Sequence, residues 1–264
     1  MTVIQQWVDE LEVRVHPDPA SLGREAAERA AAVLREAVAA KGSARAMFAT
    51  GNSQLAFVDA LTSFRSGDEP EEIPWHAIDI FHMDEYVGAG PDHPAGFQRW
   101  IRERITERVH PRSANYLNGL VGLDDPEGEC ARYAELISPG LDLVCLGVGE
   151  NGHLAFNDPG VADFEDPLDV KVVALDEACR HQQVGEGHFP DLDAVPAQAM
   201  TVTVPALLRA SVVLAIVPEG RKARAVHDAL TDPVSTDCPA SILRTKDNVT
   251  LYLDLDSSAL LVWE

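Results

Sequence analysis

The chain is 264 residues long, 46% hydrophobic and 24% charged, which suits one large α/β domain with a sizeable core. A formal net charge of −22, spread along the chain rather than held in a tail, argues against nucleic acid or an anionic membrane as partner. No apolar run approaches the roughly 18–20 residues that cross a bilayer, the N-terminus has no basic-then-apolar leader, and the four cysteines form no CxxC pair. A cytoplasmic protein with reduced thiols is expected.

Residues 21–40 carry a helical period, with Leu22, Ala26, Ala30, Val33, Leu34 and Ala37 near one face and Gly42 just past the end. Residues 44–49 predict a short strand that ends at Thr50-Gly51-Asn52-Ser53, and 55–64 a helix. A second strand, 78–81, runs into His82-Met83-Asp84-Glu85-Tyr86. Residues 98–109 and 127–137 predict helices, and 141–146 a buried strand. Further on, 170–175 is strand-like, 185–196 is a loop rich in Gly, Pro and Asp, 201–210 opens a helix, and 211–217 is a strand. The turn Pro218-Glu219-Gly220 leads into a helix over 222–230, and 249–254 is the last strand. Strands alternating with helices predict a single α/β domain over 1–264. Its sheet is doubly wound and mostly parallel, with helices on both faces, Rossmann-like in layout.

The stretch LDLVCLGVGENGHLAFNDP at 141–159 concentrates the chemistry-bearing residues. Gly147, Gly149 and Gly152 match the spacing of a dinucleotide fingerprint. That motif needs a helix directly after it, and Asn157-Asp158-Pro159-Gly160 is turn chemistry instead. The competing reading puts His153 on a glycine-built turn at a strand's carboxyl end, facing a crevice. A histidine there can shuttle a proton near neutral pH, and Asn151 and Asp158 are close enough in sequence to orient it.

Three more features fall at carboxyl ends of strands. Asp84 and Glu85 follow an apolar strand, so one faces a cleft and the other turns away. A desolvated carboxylate is a base for carbon acids beside a carbonyl or imine. Thr50-Gly51-Asn52-Ser53 links a strand to a helix, where successive amides bind phosphate; a plain turn with a Ser cap competes. Arg221-Lys222 offers cations at a third strand end. A phosphate cradle, a lysine, a carboxylate base and a histidine together describe aldose–ketose chemistry on a sugar phosphate.

Those residues resemble the glucosamine-6-phosphate deaminase/isomerase family, whose superfamily includes the 6-phosphogluconolactonases. ATGNS at 49–53, MDEYVG at 83–88, GVGENGHLAFNDP at 147–159 and the turn at 220–222 carry the likeness, with His93-Pro94 and PASIL at 239–243 in support. The resemblance implies that glucosamine 6-phosphate and water become fructose 6-phosphate and ammonia, without metal or organic cofactor. It implies that Asp84 moves the proton between C2 and C1, that His153 assists ring opening, and that Asn151 and Asp158 orient it. Thr50, Gly51, Asn52, Ser53 and Lys222 would hold the phosphate, with Glu85 and Gly149 beside the substrate. A homo-oligomer stays open.

The resemblance has departures. Asn151 stands where the family often has Asp. Asp158 stands where Glu is typical, so its shorter side chain implies an indirect or water-mediated contact with His153. The family's extra phosphate arginine is missing from 185–193, which leaves Arg180, His181 or His188 to replace it. Two alternatives stand beside the deaminase. A lactonase usually differs in its carboxylate motif. A non-catalytic sugar-phosphate sensor would usually bring a basic helix-turn-helix, and this chain has no spare basic region for one.

Overall fold

The computed structural model describes residues 3–65, 67, 72–175, 177–185, 187 and 189–262. Eight strands form the main sheet: β1 (Ile4–Val8), β2 (Leu11–His16), β3 (Ala44–Phe48), β4 (Ile78–His82), β6 (Ser113–Asn115), β7 (Leu143–Leu146), β10 (Val212–Val217) and β11 (Val249–Asp254). A smaller sheet contains β5 (Asp84–Tyr86), β8 (Val170–Ala174) and β9 (Gln198–Val202). The main order is β1-β2-β11-β10-β7-β3-β4-β6, parallel throughout except for β1 against β2. This is the expected α/β fold with a mostly parallel sheet.

Strand periodicity explains the layers. In β10, Val213, Ala215 and Val217 join the core on one face, while Leu214 and Ile216 join the core on the other. Both faces are covered, so the strand is apolar at every position. On one face lies the helix Pro19–Lys41, with Asp18 accepting from the Ser21 amide at 2.7 Å and Gly42 closing it at a φ of +77°. Its alanines let neighbours come close. At Gly23 a Cβ would lie 2.7 Å from the backbone of Ala56, in the helix Leu55–Ser63. The helices Pro126–Ile137 and Ala223–Thr231 cover the opposite face.

The order also positions the site. From β3 the chain adds strands outward through β4 and β6; from β7 it adds them the other way through β10 and β11. The reversal falls between β3 and β7, where open α/β sheets leave a crevice at the carboxyl ends.

Several local expectations change. Residues 201–210 do not form one helix: Thr201 and Val202 end β9, and the helix is Val204–Leu208, opened by Pro205. The stretch 98–109 is helical but contains a π turn over Arg102–Thr106. Past the end of the expected strand at 78–81, Asp84–Tyr86 forms a short strand of its own. The N-terminal hairpin β1–β2 extends the main sheet. Cys130, Cys145 and Cys238 are free thiols. Among the described residues no helix is long and apolar enough to cross a membrane.

Candidate active site

An open-mouthed cleft lies at the switch point. Thr50, Gly51, Asn52 and Ser53 form one wall, and Gly147, Val148, Gly149 and His153 another. Met83, Asp84, Phe97 and Phe156 form a third, and Gln183, Arg221 and Lys222 complete it.

The loop after β3 is bent by Gly51, whose φ of +102° with an extended ψ suits glycine alone. A turn over Asn52–Gln54 then enters the helix Leu55–Ser63, so the cleft wall at 50–53 leads directly into a helix N-terminus. Buried Gln54 donates to the Ile216 carbonyl at 3.0 Å and ties this loop to the end of β10.

The loop after β7 is shaped around an imidazole. The Gly149 amide donates to the His153 carbonyl at 2.9 Å, and Gly152 turns at a φ of +86°. A Cβ on Gly149 would lie 2.2 Å from the ring of His153, so the glycine makes the ring's seat. The His153 amide donates to Asn151 Oδ1 at 3.0 Å, and Asn151 Nδ2 donates to Asp158 Oδ1 at 2.8 Å. That same oxygen lies 3.0 Å from His153 Nδ1. The indirect contact expected from the short Asp158 side chain is therefore replaced by a direct one, because the loop brings the two residues together. An ionised Asp158 only accepts, so it fixes the proton on Nδ1 and leaves the Nε2 lone pair available.

The loop continues under strain. Ala155, on the cleft wall, has a φ of +52°. Its neighbours hold it there: the Phe156 amide donates to Thr201 Oγ1 at 3.1 Å, and buried Asn157 donates to the carbonyls of Leu154 and Val202. Asn157 thus stitches the loop to β9 rather than facing the cleft.

Asp84 and Glu85 separate as strand alternation requires. Asp84 lines the cleft, is nearly buried, and has no hydrogen-bond partner among the described residues. Burial, with added negative charge from Glu85 and Asp158, pushes its carboxyl well above the usual carboxylate range. Glu85 faces the other way. It accepts from the amides of Tyr86 at 2.9 Å, Phe97 at 3.1 Å and Gln98 at 2.7 Å, anchoring the helix Phe97–Ile101. Its expected place beside the substrate is thus a place behind the wall. Burial pushes it up to about 7 against the pull of those three amides.

The junction before Asp84 is latched. The Tyr133 hydroxyl accepts from the His82 amide at 3.1 Å and donates to the His82 carbonyl at 2.8 Å. Buried His82 accepts from the Leu117 amide at 2.8 Å, and burial pushes its imidazole down to about 3, so it stays neutral.

Lys222 is buried at the end of the turn Gly220–Lys222. Glu219 before it adopts a φ of +82°, and its amide donates to the Asp254 carboxylate at 3.1 Å. Arg221 also lines the cleft and pairs with Glu219 at 2.6 Å. Of the residues named for the missing arginine, Arg180 turns to the carbonyls of Leu192 at 2.6 Å and Val195 at 3.2 Å. His181 is exposed and does not line the cleft. His188 lies outside the described residues. Sequence reasoning missed Gln183, Phe97 and Phe156; a neutral glutamine and two aromatics carry no chemical signal of their own. Among the described residues no three His, Cys, Asp or Glu side chains gather to hold a metal ion.

A seated imidazole, a desolvated carboxylate, a glycine-bent amide loop and a buried lysine define an α/β protein with an acid–base cleft at a switch point. Residues 17–252 match the model of the glucosamine-6-phosphate isomerases/6-phosphogluconolactonases, and the chain belongs to that family. It is 35% identical over 187 residues to a glucosamine-6-phosphate deaminase of Exiguobacterium sibiricum, covering 70% of this chain and 71% of that one. The solved structure of a monomeric glucosamine-6-phosphate deaminase superposes with a TM-score of 0.83 at 29% identity, covering 94% of this chain and 99% of that one. A 6-phosphogluconolactonase from Shewanella baltica superposes at 0.73, with 20% identity and coverage of 96% and 100%, a likeness of fold alone.

Proposed function

We propose that this chain converts glucosamine 6-phosphate and water to fructose 6-phosphate and ammonia. The observation that carries this reading is one cleft holding a desolvated Asp84 and an Asp158-oriented His153, with Lys222 and the Gly51 loop on its walls. His153 Nε2 takes the proton of the O1 hydroxyl and returns one to the ring oxygen as the C1–O5 bond breaks. Asp84 then takes the proton from C2 of the open-chain aldehyde and returns it to C1, while a proton passes from the amino nitrogen to O1, leaving an imine at C2 beside a C1 hydroxymethyl group. Water adds to C2 and ammonia leaves. Lys222, Arg221 and the amides of 51–53 hold the phosphate, so the ring settles between the two proton carriers.

The raised basicity of Asp84 suits it to a carbon acid, which a carboxylate of ordinary strength deprotonates poorly. In the same reading the chain is one domain, works in the cytoplasm, and needs neither metal nor organic cofactor. Purified protein incubated with glucosamine 6-phosphate, its galactosamine and N-acetyl analogues, and 6-phosphogluconolactone tests the proposal. Ammonia and ketose 6-phosphate from an amino sugar phosphate are expected. Hydrolysis of the lactone with no ammonia from any amino sugar would replace this reading with a lactonase.

A further inference from the structure

Among the described residues of the segment before β9, Gln183 lines the cleft. The helix Glu177–Gly185 places Gln183 on the cleft wall while Arg180, one turn earlier, is spent on the carbonyls of Leu192 and Val195. Gln183 is 7% exposed. Its Oε1 accepts from the Tyr86 hydroxyl at 2.7 Å. Tyr86 is itself held by rings on three sides: Phe97 at 5.0 Å, Phe156 at 5.3 Å and Phe189 at 5.3 Å between centroids. A carboxamide has one accepting and one donating end. With the oxygen taken by a fixed hydroxyl, the donating Nε2 is the end presented to the cleft.

We infer that Gln183 is a specificity-determining contact that donates a hydrogen bond to a substrate oxygen, with Tyr86 as the residue that sets its orientation. This rests on the sugar-phosphate reading above. The donor is neutral, so it meets oxygen without adding to the charge of Lys222 and Arg221. It sits two positions along β5 from Asp84 by way of Tyr86, on the same face of that strand. The contact therefore reports on substrate in the cleft and takes no part in proton transfer. Phosphate oxygens and ring hydroxyls both accept such a bond, and the probes below separate them.

The test uses the full-length protein and two probes that need no turnover: glucose 6-phosphate and inorganic phosphate, with Kd measured by calorimetry. Gln183→Met keeps the side chain's length and loses the donor. Its Kd for glucose 6-phosphate should rise about tenfold, the loss typical of one hydrogen bond to a charged or well-ordered acceptor. A matching rise for inorganic phosphate assigns the bond to the phosphate; an unchanged value assigns it to a hydroxyl. Tyr86→Phe frees the amide to rotate and should raise Kd about threefold, while thermal melting confirms that the variant is folded. With glucosamine 6-phosphate, both variants should raise KM and leave kcat within about twofold of the parent. Sugar-phosphate affinity unchanged in Gln183→Met overturns the inference. Tight, Gln183-dependent binding of glucose 6-phosphate without ammonia release from any amino sugar overturns only the proposed reaction.

Discussion

His153 and Asp84 share one cleft but stand on different sheets, and each is prepared by different means. His153 rides on the loop after β7 of the main sheet, where its amide donates to Asn151, its ring Nδ1 is held by Asp158 and Gly149 makes its seat. Asp84 opens β5 of the small sheet, and its carboxylate is governed by burial and by like charge rather than by partners. One group is tuned by orientation and the other by desolvation. Such a pair reacts differently to substitution: an oriented group fails when its support moves, and a desolvated one when its own atoms change.

The largest expected effect is at Asp84. Asp84→Asn keeps the shape and removes the base, so kcat for ketose formation should fall by about 10²–10⁴-fold while glucose 6-phosphate still binds. Turnover at the parent rate would remove Asp84 as the proton carrier and collapse the contrast. Gly149→Ala comes next. Its methyl group would occupy the space of the imidazole, so the ring must leave its seat, and kcat should drop about a hundredfold. A crystal structure of that variant with His153 unmoved would show that the seat does not set the ring.

Asp158→Asn joins the two halves of the comparison. It weakens the hold on Nδ1, which should lower kcat about tenfold. It also removes a negative charge that raises Asp84, so the acid limb of the pH–rate profile should shift to lower pH. A profile that keeps its acid limb while kcat falls would mean that Asp158 acts on the imidazole alone.

The two halves were also unequally legible. The strands β3, β7, β10 and β11 are apolar runs bounded by turns, and the glycine spacing after β7 marks a loop with a purpose. The switch point follows once those strands are placed in one sheet. The small sheet has no such signal. β5 is three residues long, and its partner β9 lies more than 100 residues further on, so only tertiary pairing makes either a strand. At 201–210 the apolar period of Val204–Leu208 spread a helix back over Thr201 and Val202, which belong to β9. On the resemblance, a substitute for the family's phosphate arginine is sought among Arg180, His181 and His188. Loop carbonyls claimed Arg180, and a neutral glutamine took the cleft position.

The smallest expected effect concerns Glu85, whose adjacency to Asp84 makes it the control for burial. Glu85 is pushed up to about 7 in the folded chain, against an ordinary value of about 4.5. Between those values the folded state holds a proton that the unfolded state has released. Stability therefore falls as pH rises through that window, and the loss is complete above about 7, on the order of 3 kcal/mol for a shift of this size. Glu85→Gln has no proton to lose. It should be less stable at pH 4.5, because its Nε2 cannot accept from the Gln98 amide as the second carboxyl oxygen does. From there to pH 7.5 its stability should change less than the parent's, since Asp84 contributes its own fall to both chains. Urea denaturation across pH 4.5–7.5 measures the difference. Parallel curves would mean that the helix amides at Phe97 and Gln98 offset burial fully, and that Asp84 alone carries the charge strain of this pair.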